Sequence, residues 1–321
     1  SYALNGKKGI GAKKKAEILK IAKEMGYVPN SVARSLQART TNMIGVIMPR
    51  LSNSFNSELL VKLEEYTREK GYYLLLGTTE NNPEVEAEVI EKLIRKNIDA
   101  LVVVPGNYSN EILYGQVVEQ LQKNKTPAVF IGSIYKNILA NYVALDLESA
   151  FYNLTNYLFS KVEKGNILFF GGHPDEYYTR IRLNGIKKAF DKNGKRFPER
   201  NQINIGTGYT MQNGYRAINK FLKRNSQKPE AIIGLNDLVA FGIIKGLKEN
   251  GLMVPDDVLV TGCDDIYLPA KEDYNLTTLR IPVEEMAKFT IDAVMNNLAN
   301  SKLSMQQQIT LQLDIIKRST A

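Results

Sequence analysis

The sequence predicts an α/β protein: two doubly wound parallel-sheet lobes preceded by a short helical head. Three observations predict it. From Met43 onward, apolar runs of strand length alternate with amphipathic stretches of helix length, the pattern of parallel strands joined by crossover helices. Nine such runs occur, in a group of five and a group of four, which suits two similar lobes better than one large sheet. The charge is concentrated at the front: residues 1 to 41 carry nine Lys or Arg against Glu17 and Glu24, a net +7, and the other 280 residues carry only +1.

In the head, Ile18, Leu19, Ala22 and Met25 of KKKAEILKIAKEMGY recur at helical spacing opposite the lysines, and Gly26 ends that helix. After Pro29, Asn30 caps a second helix, NSVARSLQA, whose Val32, Ala33 and Leu36 share a face. A helix of two or three turns is marginal alone in water, so this piece orders against a partner such as DNA or its twin in a dimer. Thr40, Thr41 and Asn42 lead into the body. There IGVIMP, YYLLLGTT, ALVVVP, AVFIGS and YVALD are the first strands, with helices near 56–70, 84–97, 110–124 and 148–161. NILFFGG, QINIGTG, AIIGLND and VLVTGCDD follow, with helices near 180–193, 211–224, 237–250 and 284–299. In doubly wound sheets ligands sit beyond the carboxyl ends of the strands, here at the cleft between lobes. A basic head on a near-neutral body suits a polyanion-binding arm; a solvated basic tail accounts for the charge alone equally well.

Composition removes several classes. One cysteine, Cys263, and one histidine, His173, exclude a disulfide framework, a Cys/His zinc site and any catalytic group that needs a second of either. Neither a metal nor a cofactor is expected. No apolar stretch approaches the roughly 20 residues of a membrane span, and no apolar signal core follows the basic start, so the chain reads as cytosolic. GTGYTM lacks the third glycine of a dinucleotide fingerprint, GIGAKKK lacks phosphate-loop spacing, and no GxSxG is present, so the chain does not read as an enzyme. The chain opens in mid-pattern without an initiator Met, and its front is expected to be missing.

The stretches SYALNG, GYVPNSVARSLQARTTNMIGVIMP, AIIGLNDLVAFGIIKGLKENGLMVPDDV, TGCDDI and NLTTLRIPVEEM, in this order, resemble the lactose and galactose repressor family over essentially the whole chain. The resemblance implies a partial helix-turn-helix DNA-binding headpiece over 1–29 and a hinge helix with its linker over 30–41. It implies a two-lobed core over 42–321, similar to periplasmic sugar-binding proteins. The N-lobe is expected at about 42–146 plus 272–300, and the C-lobe at about 147–271 plus 301–321. It further implies a homodimeric transcription repressor whose affinity for operator DNA is controlled by a small effector, a sugar or sugar derivative. No leucine heptad follows DIIKR, which favours a dimer over a tetramer. A periplasmic solute-binding protein shares the two lobes but has no use for the VARSL head.

By the same resemblance, Tyr2 stands at a base-contacting position and Asn5 at a phosphate contact. Leu36 matches a residue that wedges between base pairs in the minor groove, at an unstacking cost of about a few kcal/mol; the other reading is that it caps the core. Asn30, Ser31 and Ala33 would pack against phosphate and groove walls. In the sensor, Phe55 and Tyr209 match apolar or stacking positions, and Arg182 of TRIRLNG offers a planar fork to two hydroxyls or an anion. Asn236 and Asp264 add an amide and a carboxylate at strand ends. Asp146 is a further effector-contact candidate, and for it and Asp237 the alternative is capping the helix that follows. Cys263 stands where an aromatic is usual, Gly132 and Ser133 replace an Asp-Arg pair, and Ile281 occupies a position that is polar in some members. These departures leave open an unusual sugar, a sugar phosphate or another ligand. His173 reads as a solvated loop residue.

Overall fold

The computed structural model describes residues 11–26, 40–106, 111–124, 126–132, 140–206, 208–225, 227–266, 275–299 and 306–321, with residues 111 and 112 described by their backbone only. The expected second head helix, with Asn30, Ser31, Ala33 and Leu36, lies outside these residues, as do Tyr2 and Asn5. Helix α1 (Ala12–Glu24) is present, and Gly26 closes it at φ +60. None of its residues is buried, so the stripe that contains Leu19 and Met25 lies uncovered.

The body is two lobes, as the alternation predicts. The first sheet holds β1 (Met43–Met48), β2 (Tyr73–Thr78), β3 (Ala100–Val103), β4 (Ala128–Gly132), β5 (Asn141–Leu145) and β11 (Gln308–Leu311) in the order β11-β5-β4-β3-β1-β2. The second holds β6 (Ile167–Gly171), β7 (Gln202–Asn204), β8 (Ala231–Gly234), β9 (Leu259–Asp264), β10 (Thr277–Arg280) and β12 (Asp314–Ile316) in the order β12-β10-β9-β8-β6-β7. Pairing is parallel except between β10 and β12. The central strands β3, β6 and β8 are buried throughout, and strands covered on both faces are what continuous runs such as ALVV, ILFFG and AIIG require.

The helices are α2 (Ser54–Glu69), α3 (Pro83–Arg95), α4 (Glu111–Lys123), α5 (Leu147–Phe159), α6 (Tyr177–Lys192), α7 (Met211–Arg224), α8 (Asp237–Glu249) and α9 (Val283–Ala299). Local chemistry starts many of them. Asn53, Asn82 and Thr210 accept backbone N–H bonds at the heads of α2, α3 and α7, and Pro83 sits in the first turn of α3. Helices α7 and α8 press together through glycine: a Cβ on Gly242 would lie 1.9 Å from the Met211 carbonyl oxygen, and one on Gly214 2.2 Å from that of Val239.

Among the described residues the chain passes between lobes at three places: at Asp146, around Ile281–Val283, and at 312–313. The expected second and third passages, at 271/272 and 300/301, each fall one strand early. Strand β10 pairs with β9 and so stays in the C-lobe, and β11 pairs with β5 and so belongs to the N-lobe. The cause is composition, because TTLR and QITL are short and more than half polar between them, and it is pairing with β9 and β5 that makes them strands. The C-terminal segment staples the C-lobe: Thr320 Oγ1 donates to the Val260 carbonyl at 2.7 Å, and the Thr277 amide donates to Thr320 Oγ1 at 2.8 Å.

Two carboxylates hold chain connections in place. Asp99, just before β3, clasps the linker: it accepts from Thr40 Oγ1 at 2.6 Å, from the Thr41 amide at 3.0 Å and from the Asn42 amide at 2.7 Å. Glu230 accepts from the amides of Glu163, Lys164 and Asn166 at 3.0, 2.9 and 2.8 Å and so fixes the turn before β6. Burial pushes the Glu230 carboxyl up, but these amides outweigh it and hold the group below its ordinary value. Its folded pKa thus lies under its unfolded one, so its contribution is whole above about pH 4.3 and is lost as pH falls through the lower value. Glu230→Gln is expected to cost about 1 kcal/mol at pH 7 and to reduce the acid sensitivity of the thermal midpoint; calorimetry from pH 7 to pH 3 checks both.

Candidate functional site

The carboxyl ends of the two sheets face one another. Gly132, closing β4 in the N-lobe, lies against Tyr178 at the start of α6 in the C-lobe. Glu58 of α2 is near enough to Asp264, at the end of β9, to disfavour its ionisation. The cleft between these ends collects most of the expected sensor residues, each positioned by a different element.

Arg182 sits in the middle of α6 and is only 7 % exposed. Its Nη1 donates to the Tyr178 carbonyl at 3.2 Å, and its guanidinium carbon lies 5.3 Å from the Phe151 ring centre and 5.9 Å from that of Tyr178. Its Nε is buried with no hydrogen-bond partner among the described residues. A guanidinium held between two aromatic faces with a donor left unsatisfied is costly in isolation, and it is what a polar ligand would complete.

Asp264 ends β9 at φ +124 and Asp265 follows at φ +56, two successive non-glycine residues in the left-handed region. The Asp264 carboxyl is pushed well above the usual range by loss of water, further by Asp237 and Glu58, and is only partly drawn back by Arg182. What holds this corner is Asp265: its carboxylate takes Arg280 Nε at 2.8 Å and Arg318 Nη2 at 2.7 Å, and its side chain is 5 % exposed. Cys263 is buried, which pushes its thiol up and leaves it protonated.

Tyr209, in the loop between β7 and α7, donates its hydroxyl to Glu176 Oε2, and Thr179 Oγ1 donates to the same oxygen at 3.4 Å. Burial first, then that carboxylate, raises the phenol's pKa. Glu176 and Tyr178 are site residues that motif reasoning did not single out. Their only signal is their place in GGHPDEYYT, directly beyond the carboxyl end of β6, where ligands of doubly wound sheets bind. Gly172 makes room for the pair, because a Cβ there would meet Glu176 Oε2 at 1.9 Å and the Tyr209 hydroxyl at 2.7 Å.

Asn236 caps α8, accepting from the Val239 amide at 3.0 Å, and its amide nitrogen donates to the Tyr209 carbonyl at 3.3 Å. The cap is therefore Asn236 and not Asp237, which corrects the alternative weighed for Asp237. Asp237 instead accepts from the Ile266 amide at 3.0 Å and from Thr278 Oγ1 at 2.5 Å, tying α8 to β10. Asp146 caps α5 through the Ser149 amide at 3.0 Å and takes Gln312 Nε2 at 3.1 Å, a bond between two of the three interlobe passages. Burial pushes its carboxyl up, but the Ser149 and Gln312 bonds outweigh that and hold it low. Phe55 stands in the first turn of α2, half-buried against the main apolar cluster. His173 is exposed, with Nδ1 3.3 Å from Asp175.

A cavity of about 600 Å³ lies elsewhere, beside the linker, lined by Thr40, Tyr72, Asn97, Asp99 and Leu298 among others. It is at the opposite end of the N-lobe strands from the cleft and contains none of the expected sensor residues. No helix among the described residues is long and apolar enough to cross a membrane, and no group of three or more His, Cys, Asp or Glu there is arranged to hold a metal.

Residues 44–300 match the family model described as a periplasmic binding protein domain. The chain is 29% identical to catabolite control protein A of Priestia megaterium over 287 residues, covering 89% of this chain and 84% of the relative. It is 27% identical to the HTH-type transcriptional regulator DegA of Bacillus subtilis over 286 residues, covering 89% and 83%. Among solved structures, the lac repressor dimer bound to operator and the anti-inducer ONPF superposes with a TM-score of 0.87 at 19% identity, covering 99% of this chain and 93% of that one. The CelR–cellobiose complex gives 0.76 at 18% identity, with 100% and 94% covered. A LacI family regulator from Enterococcus faecium with bound ribose gives 0.72 at 21%, with 87% and 98% covered.

Proposed function

Because the chain belongs to the periplasmic binding protein domain family, in the branch of LacI-type transcription regulators, we propose that it is a homodimeric repressor whose grip on operator DNA is set by a sugar or sugar derivative in the interlobe cleft. The observation that carries this reading is Arg182, a buried guanidinium with an unsatisfied Nε at the floor of the cleft. Around it stand the acceptors a polyol needs: the Asp264 carboxyl and the Glu176 carboxylate, with the Asn236 amide alongside. Phe55 supplies an apolar face for the C–H side of a ring. Asp146, whose oxygens are engaged by Ser149 and Gln312, acts at the interlobe passage, where it ties lobe closure to the chain's crossing.

Effector and DNA are linked through the N-lobe. Strand β3 runs from the cleft end at Val104 to the Asp99 clasp on Thr40–Asn42, so a shift of the N-lobe moves the linker that leads to the head. Only an effector with different affinities for the two lobe arrangements can drive such a shift. The expected DNA contacts from Tyr2, Asn5, Asn30, Ser31, Ala33 and Leu36 complete the proposal. The test is thermal denaturation of this chain against sugars, sugar phosphates and purines. A ligand at 100 times its dissociation constant adds about 2.7 kcal/mol and moves the midpoint by several degrees. No shift with any compound would overturn the small-effector reading.

A further inference from the structure

Helix α7, MQNGYRAINKFLKR, carries four cations and no carboxylate: Arg216, Lys220, Lys223 and Arg224. The body as a whole has a net charge of only +1, so this concentration is local. With about 100° between successive residues, Arg216, Lys220 and Lys223 fall within an arc of about 60°, opposite the buried Gly214 and Ile218. They form an outward ridge about 10 Å long. The other faces of the helix are occupied. Phe221 packs edge-on against Phe170 at 6.3 Å, Asn213 Nδ2 donates to the Ile205 carbonyl at 3.2 Å, and Asn219 Oδ1 accepts from Asn250 Nδ2 at 2.8 Å. Glu249 of the neighbouring α8 is taken by the Tyr215 hydroxyl at 2.5 Å. All four cations are exposed, and none makes an ion pair, hydrogen bond or ring contact with a described residue. Helices α2 and α3 treat their cations differently: Lys62 pairs with Glu65, Arg68 with Glu64, Lys92 with Glu88 and Arg95 with Glu91. On α7 the same spacings join like charges, Arg216 to Lys220, and Lys220 to Lys223 and Arg224, which disfavours the free helix. The helix dipole accounts for Lys223 and Arg224 in the last turn, but not for Arg216 or Lys220. Carboxylates brought by a partner would turn each of these repulsions into a shared attraction.

We propose that the outward ridge of α7 docks an acidic helix of a partner protein, with Asp or Glu at i, i+4 and i+7 opposite Arg216, Lys220 and Lys223. A straight convex ridge matches one face of another helix, because both repeat with the same rise per residue. Duplex DNA is the poorer match, since its affinity grows with the number of phosphates neutralised and this ridge offers few cations. The ridge also belongs to the C-lobe, whereas the linker to the head is held by Asp99 at the far end of the N-lobe. The experiment is fluorescence anisotropy of the whole chain at about 150 mM salt. Its probes are an alanine-rich peptide with Glu at i, i+4, i+7 and i+11, a scrambled peptide of the same composition, and a duplex DNA. The wild type is expected to bind the patterned peptide at least tenfold more tightly than the scrambled one. The triple variant Arg216→Gln, Lys220→Gln, Lys223→Gln should lose that preference. Its thermal midpoint should stay level or rise by up to about 3 °C, since like charges are removed. Removing the same charge from the head, by Lys13→Gln, Lys14→Gln and Lys23→Gln, should weaken both peptides alike and preserve the ratio. Equal binding of the two peptides by the wild type, or an undiminished ratio in the α7 variant, overturns the proposal. So does an α7 variant that loses duplex affinity tenfold while keeping the peptide ratio, which would make the ridge a nucleic-acid face. A midpoint lowered by more than about 5 °C in the α7 variant would make the row part of the fold and overturn the proposal as well.

Discussion

Asp265→Ala is expected to destabilise the C-lobe by about 3 kcal/mol and to lower the thermal midpoint by roughly 10 °C. The side chain removed is 5 % exposed and is shared by Arg280 and Arg318, so its loss leaves two guanidinium groups without their counter-charge. Arg318 is the more buried, and it stands at the start of the segment that staples β9 and β10 through Thr320. Arg280 is exposed, so the loss falls at the lower end of what breaking a buried ion pair costs. The same change frees the 264–265 corner, whose two positive φ values persist only while the surrounding bonds impose them. Ligand-dependent stabilisation should therefore fall along with stability. Differential scanning calorimetry decides it: a midpoint within about 2 °C of the wild type would show that the double ion pair contributes nothing net.

Arg182→Met is expected to separate stability from binding. Methionine keeps an apolar stem between Phe151 and Tyr178 and removes a buried charge whose Nε is unsatisfied, so the unliganded protein should hold its midpoint or gain slightly. Binding should collapse, since two hydrogen bonds from a charged donor to ligand hydroxyls are worth about 3 kcal/mol together, or roughly 100-fold in affinity. A ligand concentration that adds about 2.7 kcal/mol to the wild type would then add only about 0.4 kcal/mol. Thermal shift with and without ligand measures both halves. An unchanged ligand-induced shift would remove Arg182 from the site, whereas a large loss of unliganded stability would make it a structural residue.

Several features were legible in the residues alone. Doubly buried strands such as ALVV and AIIG must be apolar throughout, and the helices between them must show one apolar face, so the α/β alternation and the two groups of strands could be read without a structure. One cap was legible, because Asp146 stands directly before an apolar helical period, and it caps α5 through the Ser149 amide. Family resemblance, and no local pattern, pointed to Tyr209 and Arg182 and to Asn236 and Asp264 at strand ends. Periodicity alone would have assigned Arg182 to an ordinary amphipathic helix.

Other features became visible only in three dimensions. TTLR and QITL carry too little apolar pattern to be read as strands, and their lobe membership follows from pairing with β9 and β5. Whether Asn236 or Asp237 caps α8 could not be read from two adjacent polar residues; the Ile266 amide and Thr278 hydroxyl, 29 and 41 positions away, claim Asp237 and leave the cap to Asn236. Glu176 and Tyr178 carry no motif, and their place in the cleft depends on Tyr209 and Gly132, which reach them across the fold. By itself the sequence determined the periods of helices and strands, because these depend on neighbours within about one helical turn or one strand pleat. The tertiary structure decided strand partners, charge pairs and the walls of the cleft, because those are contacts between residues that share no local pattern.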